Sequence, residues 1–282
     1  MNVQTNRFLS EFSTFGIGGP IRFFFQASAI AEMIQALAWA KSEGLPFLIL
    51  GKGSNCLFND SGFDGLAILN KIDFIEWGNR QVQVGSGYSF SLLGVQTARK
   101  GWSGLEFASG IPATVGGALY MNAGANGKET SDTLDSLRFL SPDGKVTNFK
   151  REELSFSYRT SPFQKMEGVI LDATFILNDD PEARQSQLKI IDYRLKTQPW
   201  KEKSAGCVFR NPGNGISAGA LIEQAGLKGQ KVGGAKVSEM HANFIVNTGD
   251  ATASDVRRLI EIVQTKVKNT SGIELECEVR II

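Results

Sequence analysis

Short apolar stretches alternate with amphipathic ones near the start of the chain, and this pattern predicts a mixture of strands and helices. Residues 21–26 are rich in Phe and Ile and predict a strand, residues 30–38 repeat apolar side chains at helical spacing, and residues 46–50 predict a second strand. Ser28 is the expected helix N-cap and Gly44 the expected helix stop. This β-α-β order places the loop after residue 50 at the carboxyl end of a strand, where α/β units usually bind ligands.

The same signals continue to the end of the chain. Strands are predicted at 66–69, 74–77, 81–84, 137–140, 146–149, 169–177, 242–246 and 274–282, and helices at 89–100, 180–196, 218–225 and 254–268. A Pro-Asp-Gly turn at 142–144 joins two of these strands into a hairpin. Because the polar helix over 180–196 is followed by Pro199, we expect a domain boundary near residue 198.

Composition narrows the classes of function. One histidine, His241, and three scattered cysteines exclude a histidine- or cysteine-rich zinc site, so we expect no metal. A formal net charge of +1 leaves no basic surface for nucleic acid. No apolar run reaches the ~20 residues of a membrane helix, and the first residues lack the apolar core of a signal peptide. Since an odd number of dispersed thiols fits a reducing compartment, we expect a cytoplasmic protein that binds no membrane.

Glycine is over-represented: it makes up 31 of the 282 residues, or about 11 %, whereas average proteins contain about 7 % glycine. Six of these glycines fall at 51–57 (Gly-Lys-Gly-Ser-Asn-Cys-Leu) and 110–124. Glycine lets adjacent backbone amides approach an anion, but neither segment has the spacing of a Walker A or Rossmann motif. The residues alone leave two interpretations open, tight turns or a phosphate or nucleotide site. The neighbouring Ser54, Asn55 and Asn122 favour the second.

Six motifs occur in order along the chain. They are Ser-Thr-Phe-Gly-Ile-Gly-Gly at 13–19, the segment at 51–57, Gly-Leu-Glu at 104–106 with the run at 110–124, Ser-Tyr-Arg-Thr-Ser at 157–161, Ala-Gly-Cys-Val-Phe-Arg-Asn-Pro at 205–212, and Leu-Glu-Cys-Glu-Val-Arg at 275–280. Together they resemble the motifs of the UDP-N-acetylenolpyruvoylglucosamine reductase family. The short spacing between Tyr158 and Gly206 leaves little room for the extra tyrosine-bearing loop of one subclass. The chain therefore resembles the shorter, second type (type II).

The resemblance implies an α+β fold: a two-part FAD-binding domain of the PCMH type, as in vanillyl-alcohol oxidase, and a C-terminal αβ substrate-binding domain. On this basis we expect FAD-binding subdomains at 1–66 and 67–198 and a substrate-binding domain at 199–282, whose last strand returns to the flavin site. The implied activity is NADPH-dependent, FAD-mediated reduction of UDP-N-acetylenolpyruvoylglucosamine to UDP-N-acetylmuramate in peptidoglycan precursor synthesis. We expect a monomer whose partner is this small UDP-sugar.

The resemblance also assigns binding residues. Those implied to bind FAD lie in the two glycine-rich segments: Gly51, Lys52, Gly53, Ser54, Asn55, Cys56, Leu57, Gly110, Ile111, Pro112, Thr114, Val115, Gly116, Gly117, Asn122, Ala123 and Gly124. Those implied to bind the substrate are Tyr158, Asn211, Lys228, His241 and Glu276, with Lys228 as a partner of the diphosphate. For His241 the alternative interpretation is a histidine that caps a strand.

Three further residues match the catalytic positions of the family. Arg159 would stabilise negative charge on the substrate carboxylate and enolate, since a guanidinium binds a carboxylate through two parallel hydrogen bonds. Cys207 stands where the family usually has serine, and its thiol, with a reference pKa of ~8.5, would donate a proton to C2. Glu278 would assist this transfer. Glu276 lies two residues away, on the same side of a strand, so spacing does not say which glutamate is nearer Cys207, and the family register selects Glu278.

Two other functions stay open. One is a different flavoprotein of the same fold, such as an oxidase, and the other is a sugar-nucleotide binder that has lost turnover. The combination of Arg159, Cys207 and Glu278 argues against an oxidase, because a two-electron oxidation needs no such proton donor. Cys207, as the departure from serine, is the feature that invites the second alternative.

Overall fold

A computed structural model describes residues 1–213 and 215–282 of the chain. The helices are Ile30–Ser42 (α1), Phe90–Arg99 (α2), Val115–Tyr120 (α3), Ala183–Thr197 (α4), Ala218–Gln224 (α5) and Ala253–Ser271 (α6). The strands are Arg7–Phe8 (β1), Pro20–Ala27 (β2), Phe47–Leu50 (β3), Cys56–Leu57 (β4), Phe63–Asn70 (β5), Ile75–Trp77 (β6), Gln81–Gly85 (β7), Trp102–Ser103 (β8), Gly124–Ala125 (β9), Lys128–Glu129 (β10), Leu134–Leu140 (β11), Val146–Lys150 (β12), Val169–Ile176 (β13), Asn178–Asp179 (β14), Lys203–Cys207 (β15), Lys231–Val232 (β16), Ala235–Val237 (β17), Phe244–Asn247 (β18) and Arg280–Ile281 (β19). This mixture confirms the predicted α+β class.

The chain forms two compact units, and each is assembled from separated segments. The first unit contains Met1–Thr5, Phe23–Lys52 and Asp64–Arg194. The second unit contains Asn6–Arg22, Gly53–Phe63 and Leu195–Ile282. The division at 66 and 198 expected from the sequence stays a prediction. In the part of the chain that the structure describes, no helix is both long and apolar enough to cross a bilayer.

The first sheet of the first unit carries the predicted β-α-β start. Strand β5 lies between β2 and β3, and it runs parallel to β3. The apolar face of α1, with Met33 and Leu37 buried, packs in one core with β5. The residues after β3 begin the first glycine-rich segment, as predicted. The N-cap of α1 is Ala29 and not Ser28, and the backbone N–H of Ser28 donates to Glu32 Oε2 at 2.7 Å.

The second sheet of the first unit is antiparallel, in the order β12-β11-β13-β7-β6. The predicted hairpin is confirmed: Leu140 pairs with Val146, and a turn between Ser141 and Gly144 connects β11 to β12. Helix α2 begins at the N-cap Ser89, as its sequence predicts. Helices α2 and α3 bury their apolar side chains in the same core as this sheet.

The second unit is built on the antiparallel sheet β15-β18-β17-β16. The predicted apolar face of α6 is buried, with Val256 and Leu259 fully inside the core, and the helix ends where Gly272 adopts a φ of +74°. Phe15 and Leu57, from much earlier in the chain, belong to the same core. Asp60 accepts hydrogen bonds from the first two backbone amides of α6, at 2.8 and 3.1 Å.

The strand predicted over 274–282 is wrong for most of its length, since only β19 is a regular strand. The reason is a change of partner along the segment. Its first half pairs with residues 208–210, through bonds from Arg210 N to Glu276 O (2.9 Å) and from Glu278 N to Val208 O (2.7 Å). From Arg280 onward it pairs in parallel with β4 instead. Alternating residues in the sequence do not reveal such a switch.

Candidate active site

The first glycine-rich segment needs glycine for the packing of the chain itself. A Cβ on Gly51 would lie 2.6 Å from Thr114 Oγ1 within the first unit. Gly53, in the second unit, has a φ of +57°, and a Cβ there would overlap the carbonyl oxygen of Phe12. Both positions are therefore closed to larger residues before any ligand is considered.

The same segment has backbone donors that the protein does not use. Among the residues that the structure describes, the amides of Gly53 and Ser54, both in the second unit, donate no hydrogen bond to another protein group. Gly53 is buried, and buried amides are normally paired. Consecutive unpaired amides in a glycine-containing turn suit an anion such as a diphosphate. The donor set of this segment therefore fits the diphosphate of FAD.

Lys52 adds a positive charge to this segment. Its Nζ donates to Ser89 Oγ at 3.0 Å, within the first unit. Burial lowers the pKa of Lys52, and the nearby charge of Lys71 lowers it further. A bound anion would favour the charged form of Lys52 and so raise its pKa again.

The second glycine-rich segment differs, because its amides are engaged. At the start of α3 the amide of Val115 donates to Tyr88 O (2.9 Å) and that of Gly116 to Ser86 O (2.8 Å). The amide of Gly117 donates to the N-cap hydroxyl of Thr114 at 3.2 Å. A role of this segment towards FAD stays a prediction, and it has to use groups other than these three amides.

Asn122, predicted to bind FAD, has a side chain that is fully occupied inside the first unit. The residue is completely buried, and its Nδ2 donates to Glu129 Oε2 (2.7 Å) and to Ser157 O (3.0 Å). Its Oδ1 accepts from the amide of Ser131 at 3.1 Å. The amide of Asn122 also donates to Leu119 O at 3.1 Å, so its backbone carbonyl is what remains for a ligand. The side chain fixes the neighbouring Ser157 segment.

Arg159 stands at the tip of a tight turn between Ser157 and Thr160, whose backbones exchange two hydrogen bonds of 3.1 and 2.9 Å. Its φ is +55°. This left-handed conformation costs an arginine about 1 kcal/mol, and strain of this kind clusters at functional sites. The guanidinium donates from Nη2 to Gly124 O at 3.0 Å and lies 4.8 Å from the ring of Tyr158, which is 43 % exposed.

Sequence reasoning missed Gln164, which contacts this turn. Its Nε2 donates to Arg159 O and to Tyr120 O, both at 3.0 Å. Tyr120 is 44 residues away in the chain, so no local pattern signals the contact.

Cys207 and Glu278 lie on neighbouring segments of the second unit. Cys207 ends β15 after an irregularity in its pairing with β18, where Gly206 has a φ of +76°. Irregularities of this kind redirect side chains beside active sites. The amide of Glu278 donates to the carbonyl of Val208, the residue that follows Cys207, and the carbonyl of Glu278 accepts from Asn55 Nδ2 at 3.3 Å. Both backbone groups of Glu278 are thus held, and one of them by a predicted FAD-binding residue.

The two glutamates of the C-terminal motif have different surroundings. The side chain of Glu276 is 72 % exposed, and its carboxylate lies 3.6 Å from Arg210 Nη1. Glu278 is only partly exposed. The assignment of Glu278 as the glutamate next to Cys207 stays a prediction.

The remaining predicted substrate residues also lie in the second unit. Asn211 Oδ1 accepts from the first amide of α5 at 3.0 Å, and Lys228 Nζ donates to Glu223 Oε1 at 2.7 Å. His241 Nδ1 accepts from the amide of Asn243 at 3.2 Å, which is the strand cap of the alternative interpretation. Burial is the main reason that the pKa of His241 is lowered. In the neutral ring, an Nδ1 that accepts this bond places the proton on Nε2.

Comparisons with known proteins agree with this description. Residues 198–282 match the family model "UDP-N-acetylenolpyruvoylglucosamine reductase, C-terminal domain", and residues 21–150 match the model "FAD binding domain". A UDP-N-acetylenolpyruvoylglucosamine reductase of Protochlamydia amoebophila is 59 % identical over 99 % of this chain and 93 % of that protein. The same-named protein of Chlamydia trachomatis serovar A is 49 % identical over 100 % of this chain and 96 % of that one.

A solved structure gives the same result. The crystal structure of UDP-N-acetylenolpyruvylglucosamine reductase from Thermus caldophilus superposes with a TM-score of 0.85 at 37 % identity, covering 100 % of this chain and 99 % of that one. Together with the family models, this match confirms the predicted fold, a PCMH-like FAD-binding domain followed by the C-terminal domain of these reductases.

Proposed function

The chain belongs to the UDP-N-acetylenolpyruvoylglucosamine reductase family, and from this premise we propose that it reduces UDP-N-acetylenolpyruvoylglucosamine to UDP-N-acetylmuramate with FAD and NADPH. The observation that carries the proposal is the 59 % identity to the reductase of P. amoebophila, which extends over 99 % of the chain. We further propose that it works in the cytoplasm, as a monomer, on this soluble precursor of peptidoglycan.

The chemistry that bound FAD would supply is a hydride, obtained from NADPH, for C3 of the enolpyruvyl group. Hydride arrival at C3 leaves negative charge on C2 and the adjacent carboxylate. Arg159 stabilises this charge, since a positive group already fixed in place lowers the barrier without reorganising. Cys207 then gives its proton to C2, so that one hydride and one proton have been added across the double bond. Glu278 returns a proton to the Cys207 sulfur.

The backbone amides of Gly53 and Ser54 hold the diphosphate of FAD in this proposal, supported by their lack of protein acceptors. Lys52 adds charge beside them. Lys228 exchanges its ion pair with Glu223 for the diphosphate of the substrate. Tyr158, Asn211, His241 and Glu276 complete the substrate contacts, with His241 donating from Nε2.

A spectroscopic experiment tests the proposal. The purified protein should show a flavin absorption spectrum, lose it on anaerobic addition of NADPH and regain it when UDP-N-acetylenolpyruvoylglucosamine is added. The sugar nucleotide recovered should be two hydrogens heavier by mass spectrometry. Parallel titrations with NADH measure the preference for NADPH.

The alternatives give different results. An oxidase would regain its colour with oxygen and leave the sugar nucleotide unchanged. A binder without turnover would take up the sugar nucleotide but would not regain its colour after NADPH. Either result would contradict the reductase activity.

A further inference from the structure

The turn that presents Arg159 is held in place by two amide side chains, those of the partly buried Gln164 and the buried Asn122. Its left-handed residue is an arginine, and arginine, unlike glycine, does not adopt this conformation by itself at low cost. The backbone of this turn therefore needs support from elsewhere in the first unit.

Gln164 supports the residue that carries the guanidinium. The amide group of a glutamine has two N–H donors, and Nε2 of Gln164 has two carbonyl acceptors at 3.0 Å, Arg159 O and Tyr120 O. One side chain thus connects the turn to the last residue of α3. Ser161 strengthens the same connection, because its Oγ donates to Tyr120 O at 2.7 Å.

Asn122 supports the other end of the turn. Its Nδ2 donates to Ser157 O, and the same nitrogen is held by Glu129 Oε2. Asn122 also has a positive φ, of 42°, and it lies two residues after the end of α3. The carbonyls of the first and third residues of the turn are thus both fixed to the end of this helix.

We infer that Gln164 is a positioning residue for Arg159, which holds its backbone in the left-handed conformation so that the guanidinium meets the substrate carboxylate in one orientation. This inference rests on the proposed function, because it takes from it the role of Arg159. Misplacement of a reacting or charge-stabilising group by about 1 Å can cost about 100-fold in rate.

The test compares Gln164→Leu with a matched control in the holoenzyme. Gln83→Leu is the control, since Gln83 Nε2 also donates one hydrogen bond in the first unit, to Asp172 Oδ1 at 3.2 Å, and Gln83 does not contact the Arg159 turn. Stopped-flow absorbance measures the two half-reactions separately. We expect Gln164→Leu to slow substrate-dependent flavin reoxidation by about 10- to 100-fold, to leave flavin reduction by NADPH unchanged, and to lower kcat more than it raises KM.

A double-mutant cycle shows whether Gln164 acts through Arg159. In an Arg159→Ala background, Gln164→Leu should cause no further loss, whereas a general loss of structure would add to it. Hydrogen–deuterium exchange of the peptide over 157–164 should rise in Gln164→Leu and not in Gln83→Leu.

A conservative variant supplies a pH signature. Gln164→Glu cannot donate to the two carbonyls while it is ionised, and it regains one O–H donor when protonated. Its reoxidation rate relative to the parent should therefore increase as the pH falls. If the ratio of the two reoxidation rates does not change with pH, the positioning role of Gln164 is overturned.

The outcomes separate the inference from the proposed function. If Arg159→Ala is slow and Gln164→Leu behaves like Gln83→Leu, the positioning role is overturned and the reductase activity stands. If Arg159→Ala is as fast as the parent, the assigned role of Arg159 fails, and the inference fails with it. Additive losses in the double variant would also overturn the positioning role.

Discussion

Gly53→Ala tests whether the first glycine-rich segment requires glycine for the protein or for the flavin. Gly53 has a φ of +57°, and its position leaves no space for a methyl group, since a Cβ would overlap Phe12 O and lie 2.9 Å from Ser13 Cα. Both obstacles are backbone atoms of the second unit. The cost should therefore appear in the protein without any cofactor.

The magnitude follows from two contributions. Placing an alanine in the left-handed region costs about 1 kcal/mol, and forcing a methyl group into packed atoms costs about 1–3 kcal/mol more. We expect Gly53→Ala to lower the free energy of unfolding by roughly 2–4 kcal/mol. Gly272→Ala is the matched control in the same unit, because Gly272 has a φ of +74° with no atom within 4 Å of its Cβ. That variant should lose only about 1 kcal/mol.

The assay is urea unfolding of the flavin-free proteins, followed by far-UV circular dichroism. Both variants replace a glycine of positive φ, so the difference between their losses in free energy of unfolding is the steric contribution at Gly53. Equal losses in Gly53→Ala and Gly272→Ala would refute this reasoning. So would a Gly53→Ala protein that is unchanged without FAD and weakened only in its affinity for FAD.

Two further predictions concern the cysteines. Cys207→Ala should lower substrate reduction by about 100-fold or more, the usual contribution of a general acid, without affecting flavin reduction by NADPH, whereas Cys207→Ser should retain substantial activity in the same stopped-flow assay. A fully active Cys207→Ala enzyme would remove Cys207 from the mechanism. Burial, with the charges of Glu278 and Glu276, raises the pKa of Cys277 from 9.0 to about 11. Between pH 9 and 11 the unfolded chain therefore loses the thiol proton while the folded protein keeps it, so the fold should lose stability as the pH rises through this range. The urea midpoint should fall more in the parent than in Cys277→Ala over that range.

The local parts of the fold were readable from the sequence. Helix α6 was predicted at 254–268 and is found at Ala253–Ser271, because a buried apolar face every three to four residues is a strong signal. Helix α3 was not predicted, since Gly116 and Gly117 have poor helix propensity and its start depends on the Thr114 cap and on carbonyls of residues 86 and 88. The sequence pattern contains no trace of those distant acceptors.

The candidate site, too, was predicted from the sequence only in part. Motif register predicts roles for Arg159, Cys207 and Glu278, and the structure adds the backbone contacts around them. Gln164 carried no motif, because its role lies in two carbonyls that only the fold brings to it. Asn122 did carry a motif, but buried hydrogen bonds show that its side chain serves the Arg159 turn.

Because the second unit is assembled from separated segments, its core cannot be completed until the end of the chain has been synthesised. Its core combines Phe15 and Leu57 with Val279, and Leu57 and Val279 are 222 residues apart in the chain. At a synthesis rate of roughly 5–20 residues per second, the early segments wait on the order of 10–40 s for their partners. During that time their apolar side chains have no core to enter, so ribosome stalling or premature termination should leave them available to chaperones and to aggregation.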